Sequence, residues 1–74
     1  MKSKVNQYII QKVKERRIAQ GISQETLSLM LEKGHSYISS KENRGAVYPI
    51  QVLNDIAIIL KCSLHDLIPK DPIR

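Results

Sequence analysis

Residues 35–44, H-S-Y-I-S-S-K-E-N-R, string small polar side chains along one short segment that holds a single aliphatic residue, Ile38. His35, Ser36, Ser39, Ser40 and Asn43 all hydrogen-bond readily, and none is large enough to hold a helix away from a polar surface. Hydroxyl, imidazole and carboxamide groups at helical spacing suit the donors and acceptors on base-pair edges in a DNA major groove. Upstream, Ser23-Gln24-Glu25 opens another short segment, and Glu32-Lys33-Gly34 separates the two. Two short helices joined by a tight turn are what holds such a reader at a fixed angle to the groove.

The elements that must position this segment follow from apolar spacing. Val5, Tyr8, Ile9 and Val13 recur at helical intervals and predict a first helix over about 4–20, stopped by Gly21, with Lys12, Lys14 and Arg16 on its other face. Ser23 is the expected cap of a second helix, Glu25 favours its positive end, and Leu27, Met30 and Leu31 form its expected buried stripe. A third helix is predicted over roughly 35–43, followed by a loop over 44–48. Pro49 then falls in the first turn of a fourth helix, which carries Leu53, Ile56, Ala57 and Leu60 on one face. Ser63-Leu64-His65-Asp66 has capping-box spacing, so a short fifth helix over about 64–68 is expected, ended by Pro69. The fold class is therefore read as all-α, a compact five-helix bundle, with one domain over 1–68 and an extended tail over 69–74.

At 74 residues the chain has room for one domain, which at this size buries only about 60% of the surface its unfolded form exposes. With 42% apolar residues, no Trp or Phe and three Tyr, its core must be aliphatic, and a large catalytic cleft has no place. The net charge of +5 falls within residues 1–44, which hold nine Lys/Arg and four Asp/Glu, whereas residues 45–74 hold three of each. A basic half attracts phosphates with strong salt dependence, the plainer alternative being a solubilising surface. Cys62, the only cysteine, cannot form an intramolecular disulfide, so a cytoplasmic protein is expected. The longest apolar stretch, Ile56 to Leu60, is far shorter than the ~20 residues that span a bilayer, and the first residues lack a signal-peptide core. The sequence offers no Ser-His-Asp or Cys-His constellation and no glycine-rich phosphate loop, which argues against an enzyme. Cys62 and His65 are two candidate ligands, too few for zinc, so no metal or cofactor is expected. Cys62 is read as a small core residue and His65 as a surface one.

Three ordered pieces, R-I-A-Q-G-I-S-Q-E-T-L, S-Y-I-S-S-K-E-N-R-G and L-N-D-I-A-I-I-L-K-C-S-L-H-D-L, resemble the lambda-repressor/Cro-like, or XRE-type, helix-turn-helix family over about Val5 to Pro69. The resemblance implies a transcriptional regulator that binds double-stranded DNA as a homodimer on near-palindromic operators. It implies that Gln24 meets a phosphate and supports the reader, and that His35, Ser36 and Ser40, with Ser39 nearby, face base edges. Ser23, Lys33, Tyr37, Asn43 and Arg44 flank the reader and are the expected phosphate contacts. Tyr37 could equally pack on the core, Asn43 could cap the helix, and Lys33 and Arg44 could be solvated charges. The family also implies a buried ion pair, here Arg17 with Glu42, that locks the reader to the bundle. None of the base readers makes the bidentate Arg–guanine contact, so DNA shape is expected to share in specificity.

Two residues depart from the family pattern. Glu32 stands where glycine is usual and must adopt a left-handed conformation at about 1 kcal/mol, unless Gly34 absorbs some of it by shifting the turn. Lys41 stands where an apolar residue is usual, so its stem must run outward or its amine reach the DNA backbone. The alternative function is a protein-interaction module on the same fold, antitoxin-like or an adaptor. Tyr48, Leu64, Leu67, Ile68 and Ile73 would supply its apolar patch. That patch would serve a homodimer equally well, and the sequence does not separate the two uses.

Overall fold

The structure, a computed structural model, describes residues 3–74. Four α-helices follow one another, α1 (Lys4–Ala19), α2 (Gln24–Met30), α3 (Tyr37–Arg44) and α4 (Ile50–Ile59), and then a single 3-10 turn at Leu64–Asp66. No strand occurs among the described residues, so the chain is all-α. The expected fifth helix is not formed. Pro69 supplies no N–H and disfavours helical backbone at Ile68, and Leu67 turns into the core, so only one turn fits. The Ser63 N–H still donates to Asp66 Oδ2 at 2.9 Å. That bond and the nearby Arg16 guanidinium hold the exposed Asp66 carboxyl below its ordinary range.

Ser3 caps α1 by accepting from the Asn6 N–H at 3.2 Å, and Gly21, at φ +70°, reverses the chain after its last turn. The buried face of α1 is Asn6, Ile10, Val13 and Arg17. It is rotated from the apolar stripe seen in the sequence, since Val5 is exposed and Tyr8 only half-buried. In α2, Leu27, Ser28 and Leu31 share the inward side, which leaves Met30 outside the stripe assigned to it, 51% exposed. Pro49 is the cap residue of α4, just ahead of the first turn rather than in it. Val52, Leu53, Ile56 and Ala57 of α4, and Leu60 after it, form the centre of the core with Ile10, Val13, Leu27, Ile38, Tyr48 and Leu67.

Tyr48 and Leu67 are thus core residues and unavailable for the surface patch expected of them; Leu64, Ile68 and Ile73 remain partly accessible. Cys62 packs half-buried against the core, and His65 is exposed. Residues 69–74 are irregular and run back toward α1. Lys4 Nζ donates to the Arg74 carbonyl at 3.1 Å, and Val5, Ile9, Ile68 and Ile73 line one shallow groove between them.

Candidate nucleic-acid interface

Ser23 caps α2 by accepting from the Thr26 N–H at 3.0 Å while donating to Thr26 Oγ1 at 2.8 Å. Its hydroxyl proton is therefore already engaged. At the turn, Glu32 N–H donates to Leu29 O at 2.9 Å and Lys33 N–H to Ser28 O at 3.0 Å, with Glu32 itself at φ +59°. Gly34 does not relieve Glu32: the left-handed glycines among the described residues are Gly21 and Gly45.

The Tyr37 N–H donates to Gly34 O at 3.0 Å, closing a turn through His35 and Ser36. Helix α3 therefore begins at Tyr37, two residues later than the sequence suggests, and His35 and Ser36 sit in the approach to it. Ser36 occupies the cap position but its side chain makes no cap bond, so its hydroxyl is uncommitted to α3. At the other end, Arg44 lies within the helix and not in the following loop. Gly45, at φ 69°, is the C-terminal cap, which removes Asn43 from that role. Ser36, Ser40 and Arg44, at i, i+4 and i+8, line one concavity on the outer side of α3 together with Tyr37. His35, Ser36, Asn43, Arg44, Lys33 and Ser23 are exposed, and Ser39, Ser40, Gln24 and Tyr37 are half-buried.

What fixes α3 lies underneath. Ile38 is fully buried, and its N–H, one of the amides a helix leaves free at its start, donates to Ser28 Oγ at 2.9 Å. Ser28 Oγ in turn donates to Gln24 O at 2.8 Å, so one buried hydroxyl joins the backbones of α2 and α3. Sequence reasoning missed Ser28; the available signal was its place beside Leu27 on the inward side of α2. It also missed Asn6, whose buried carboxamide donates to the carbonyl of Gly45 and so ties α1 to the end of α3.

Arg17 and Glu42 meet as a bidentate pair, Nε to Oε2 at 3.0 Å and Nη2 to Oε1 at 3.1 Å, with side chains only 9% and 3% exposed. Arg17 Nη1 also donates to Ile22 O at 2.8 Å. Gln24 Nε2 donates to Glu42 Oε1 at 2.8 Å. One carboxylate thus gathers donors from α1 and α2 onto α3. Gln24 spends one N–H there, which leaves its second N–H and its carbonyl oxygen for another partner.

Two ammonium groups approach the Tyr37 ring, Lys33 Nζ at 5.4 Å and Lys41 Nζ at 5.2 Å from its centre, and partial burial pushes its hydroxyl pKa up. The Lys41 amine ends at an exposed site, where it donates to Val47 O at 2.8 Å. It thereby braces the loop after α3. Burial, reinforced by the Glu42 carboxylate, raises the pKa of the Tyr48 hydroxyl well above its ordinary value, so this core tyrosine stays neutral.

Residues 13–67, from the middle of α1 through the last core leucine, match the helix-turn-helix family profile. The chain belongs to the XRE-type helix-turn-helix family. Among solved structures, this helix-turn-helix protein is similar to the restriction-modification controller protein C.AhdI from Aeromonas hydrophila. The two share 27% identity at a TM-score of 0.72, over 81% of this chain and 87% of C.AhdI. It is also similar to a chain of the SinR–SinI protein complex, with 32% identity and a TM-score of 0.71, over 84% of this chain and 61% of that one. The hypothetical transcription factor NHTF from Neisseria shares the fold at a TM-score of 0.79 and 18% identity, over 88% of this chain and 75% of NHTF. No curated protein sequence matches it.

Proposed function

We propose that this helix-turn-helix protein is a sequence-specific DNA-binding transcriptional regulator, not an enzyme, that acts as a homodimeric repressor on an inverted repeat. The observation that carries this reading is α3 itself: a helix with one buried aliphatic side chain, a polar outer side, and four separate ties to the bundle through Ile38, Ser28, Glu42 and the Asn6–Gly45 bond. These ties stabilise the fold, and they also hold the polar outer side at one angle, which a groove reader needs.

In this reading His35 and Ser36 enter the groove first and Ser40 follows one turn later, with Ser39 beside it. Gln24 offers its free N–H to a phosphate while Glu42 fixes its orientation. Lys33, Tyr37, Asn43 and Arg44 supply the flanking phosphate contacts, and Ser23, its proton engaged, takes part through its position at the end of α2. Lys12 and Lys14 add to the field of the basic half. The C.AhdI and NHTF resemblances support a regulator. A second reading, a module whose main partner is another protein, is favoured by the aliphatic side chains left exposed on α2 and α4. No described helix is long and apolar enough to cross a membrane.

Selection of genomic DNA fragments by the purified protein tests the proposal. The expected result is enrichment of an inverted repeat whose half-sites lie about 34 Å, one helical turn, apart. A folded protein that enriches no sequence would move the function to a protein partner.

A further inference from the structure

The loop between α3 and α4 has few ties of its own. Among the described residues no backbone–backbone hydrogen bond involves residues 46–48, and Tyr48 is held there by burial. The hydrogen bond that does reach this stretch comes from a side chain, Lys41 Nζ to Val47 O at 2.8 Å. The same amine lies 5.2 Å from the centre of the Tyr37 ring and 6.0 Å from that of Tyr48. Tyr37 and Lys41 stand one turn apart on α3, so ring and ammonium meet on one side of the helix. One cation therefore engages a ring on the polar outer side, the backbone of the following loop and a ring of the core.

That loop belongs to the candidate site, because Ala46 lines the same concavity as Ser36, Ser40, Arg44 and Tyr37. The concavity is thus bounded by parts of two elements, and Lys41 is tied to both. We propose that Lys41 is a positioning residue for DNA binding: it holds the Tyr37 ring and the 46–48 backbone in place around this concavity and makes no phosphate contact of its own. The inference deepens the DNA-binding reading and rests on it.

The chemistry separates this role from that of an ordinary basic contact. A lysine that serves phosphates acts as a point charge on a flexible stem, and its contribution is the counterion it displaces. The Lys41 amine is instead directed at a carbonyl and two rings of its own chain. Leaving them for a phosphate would release the loop, and Ala46 with it, at the moment DNA arrives. An apolar side chain at position 41 would pack against the rings but could not bond the loop carbonyl.

Lys41→Met, which keeps much of the stem and removes both donor and charge, is the test. In the free protein, backbone order parameters at Ala46 and Val47 are expected to fall from the rigid range of about 0.85 to below about 0.6, with those of α3 and α4 unchanged. On the best selected DNA fragment, Kd should rise at least about fivefold, since the loop and the Tyr37 ring must then be ordered on binding. The slope of log Kd against log salt should stay within about 0.3 of the wild-type value, because no displaced counterion is lost. Arg44→Met, the comparison, should flatten that slope by about 0.9 for each copy that loses a phosphate contact. Lys41→Arg, whose guanidinium can donate to the same carbonyl, should recover most of the affinity. A slope that Lys41→Met flattens as Arg44→Met does would make Lys41 a phosphate contact and overturn the inference. So would order parameters at Ala46 and Val47 that stay in the rigid range. A wild type that selects no DNA overturns the DNA-binding reading and this role with it; selective binding that Lys41→Met leaves intact overturns this role alone.

Discussion

Glu42→Ala is expected to lower the melting temperature by at least roughly 12 °C. The Arg17 guanidinium, whose side chain is 9% exposed, would keep its charge and lose both of its bonds to carboxylate. Removing one member of a buried pair typically costs about 3–5 kcal/mol, out of a total of about 5–15 kcal/mol for a small domain. For a chain of this length each kcal/mol moves the midpoint by about 4–8 °C. Gln24 would lose its anchor in the same substitution, so α1, α2 and α3 all loosen at one point. Replacing both partners with apolar residues, Arg17→Met with Glu42→Leu, should destabilise less than either single change, because no charge is then stranded. A thermal melt of Glu42→Ala within a degree or two of the wild type would show that the pair does not hold the helices together.

The second large effect is expected at Ile38. It is fully buried and is the only aliphatic residue of α3, so Ile38→Ala opens a cavity directly beneath the outer polar side. Truncations of this kind cost about 2–5 kcal/mol, depending on how far the surroundings relax. The loss should be concentrated locally: hydrogen exchange at the α3 amides, and first at the Ile38 N–H held by Ser28, should speed up ahead of exchange in α4. Ile50→Ala, at an exposed position, should stay within about 0.5 kcal/mol of the wild-type monomer and serves as the comparison. Chemical denaturation showing less than about 1 kcal/mol for Ile38→Ala would mean that α3 is held by its hydrogen bonds alone.

Much of this architecture is legible in the residues themselves. Ser23 and Gly21 mark helix ends because a hydroxyl acceptor and a left-handed residue are local requirements, and α4 shows its core face through simple periodicity. The pairing of Arg17 with Glu42 is not readable from spacing; it came with the family resemblance. Hydropathy fails where a polar residue belongs inside. Asn6 and Ser28 satisfy backbone groups on another element, at Gly45 and Ile38, and nothing local announces a partner 39 or 10 residues away. It misplaced Met30 for a related reason, since the inward side of α2 is set by Ser28 as much as by Leu27.

The candidate site was harder to read at its edges than at its centre. Ser40 stands on the helix where the pattern puts it, whereas Arg44 extends the helix into the expected loop and His35 and Ser36 lie ahead of it, because the Gly34–Tyr37 turn bond delays the start of α3. The acceptor of Lys41 was beyond sequence reasoning, because Val47 O takes up its position only once the following loop is folded.

The reading of α3 as a groove reader is tested most directly by titrating the best selected DNA fragment at two salt concentrations, with wild type and with Gln24→Ala, Ser36→Ala. Affinity should fall steeply with salt, as expected when cationic side chains displace counterions from phosphates. The double variant should bind at least about tenfold more weakly at both concentrations, having lost one phosphate and one groove contact per copy. An affinity that the double variant leaves unchanged, or that hardly responds to salt, would contradict the assignment of α2 and α3 as the DNA-binding face.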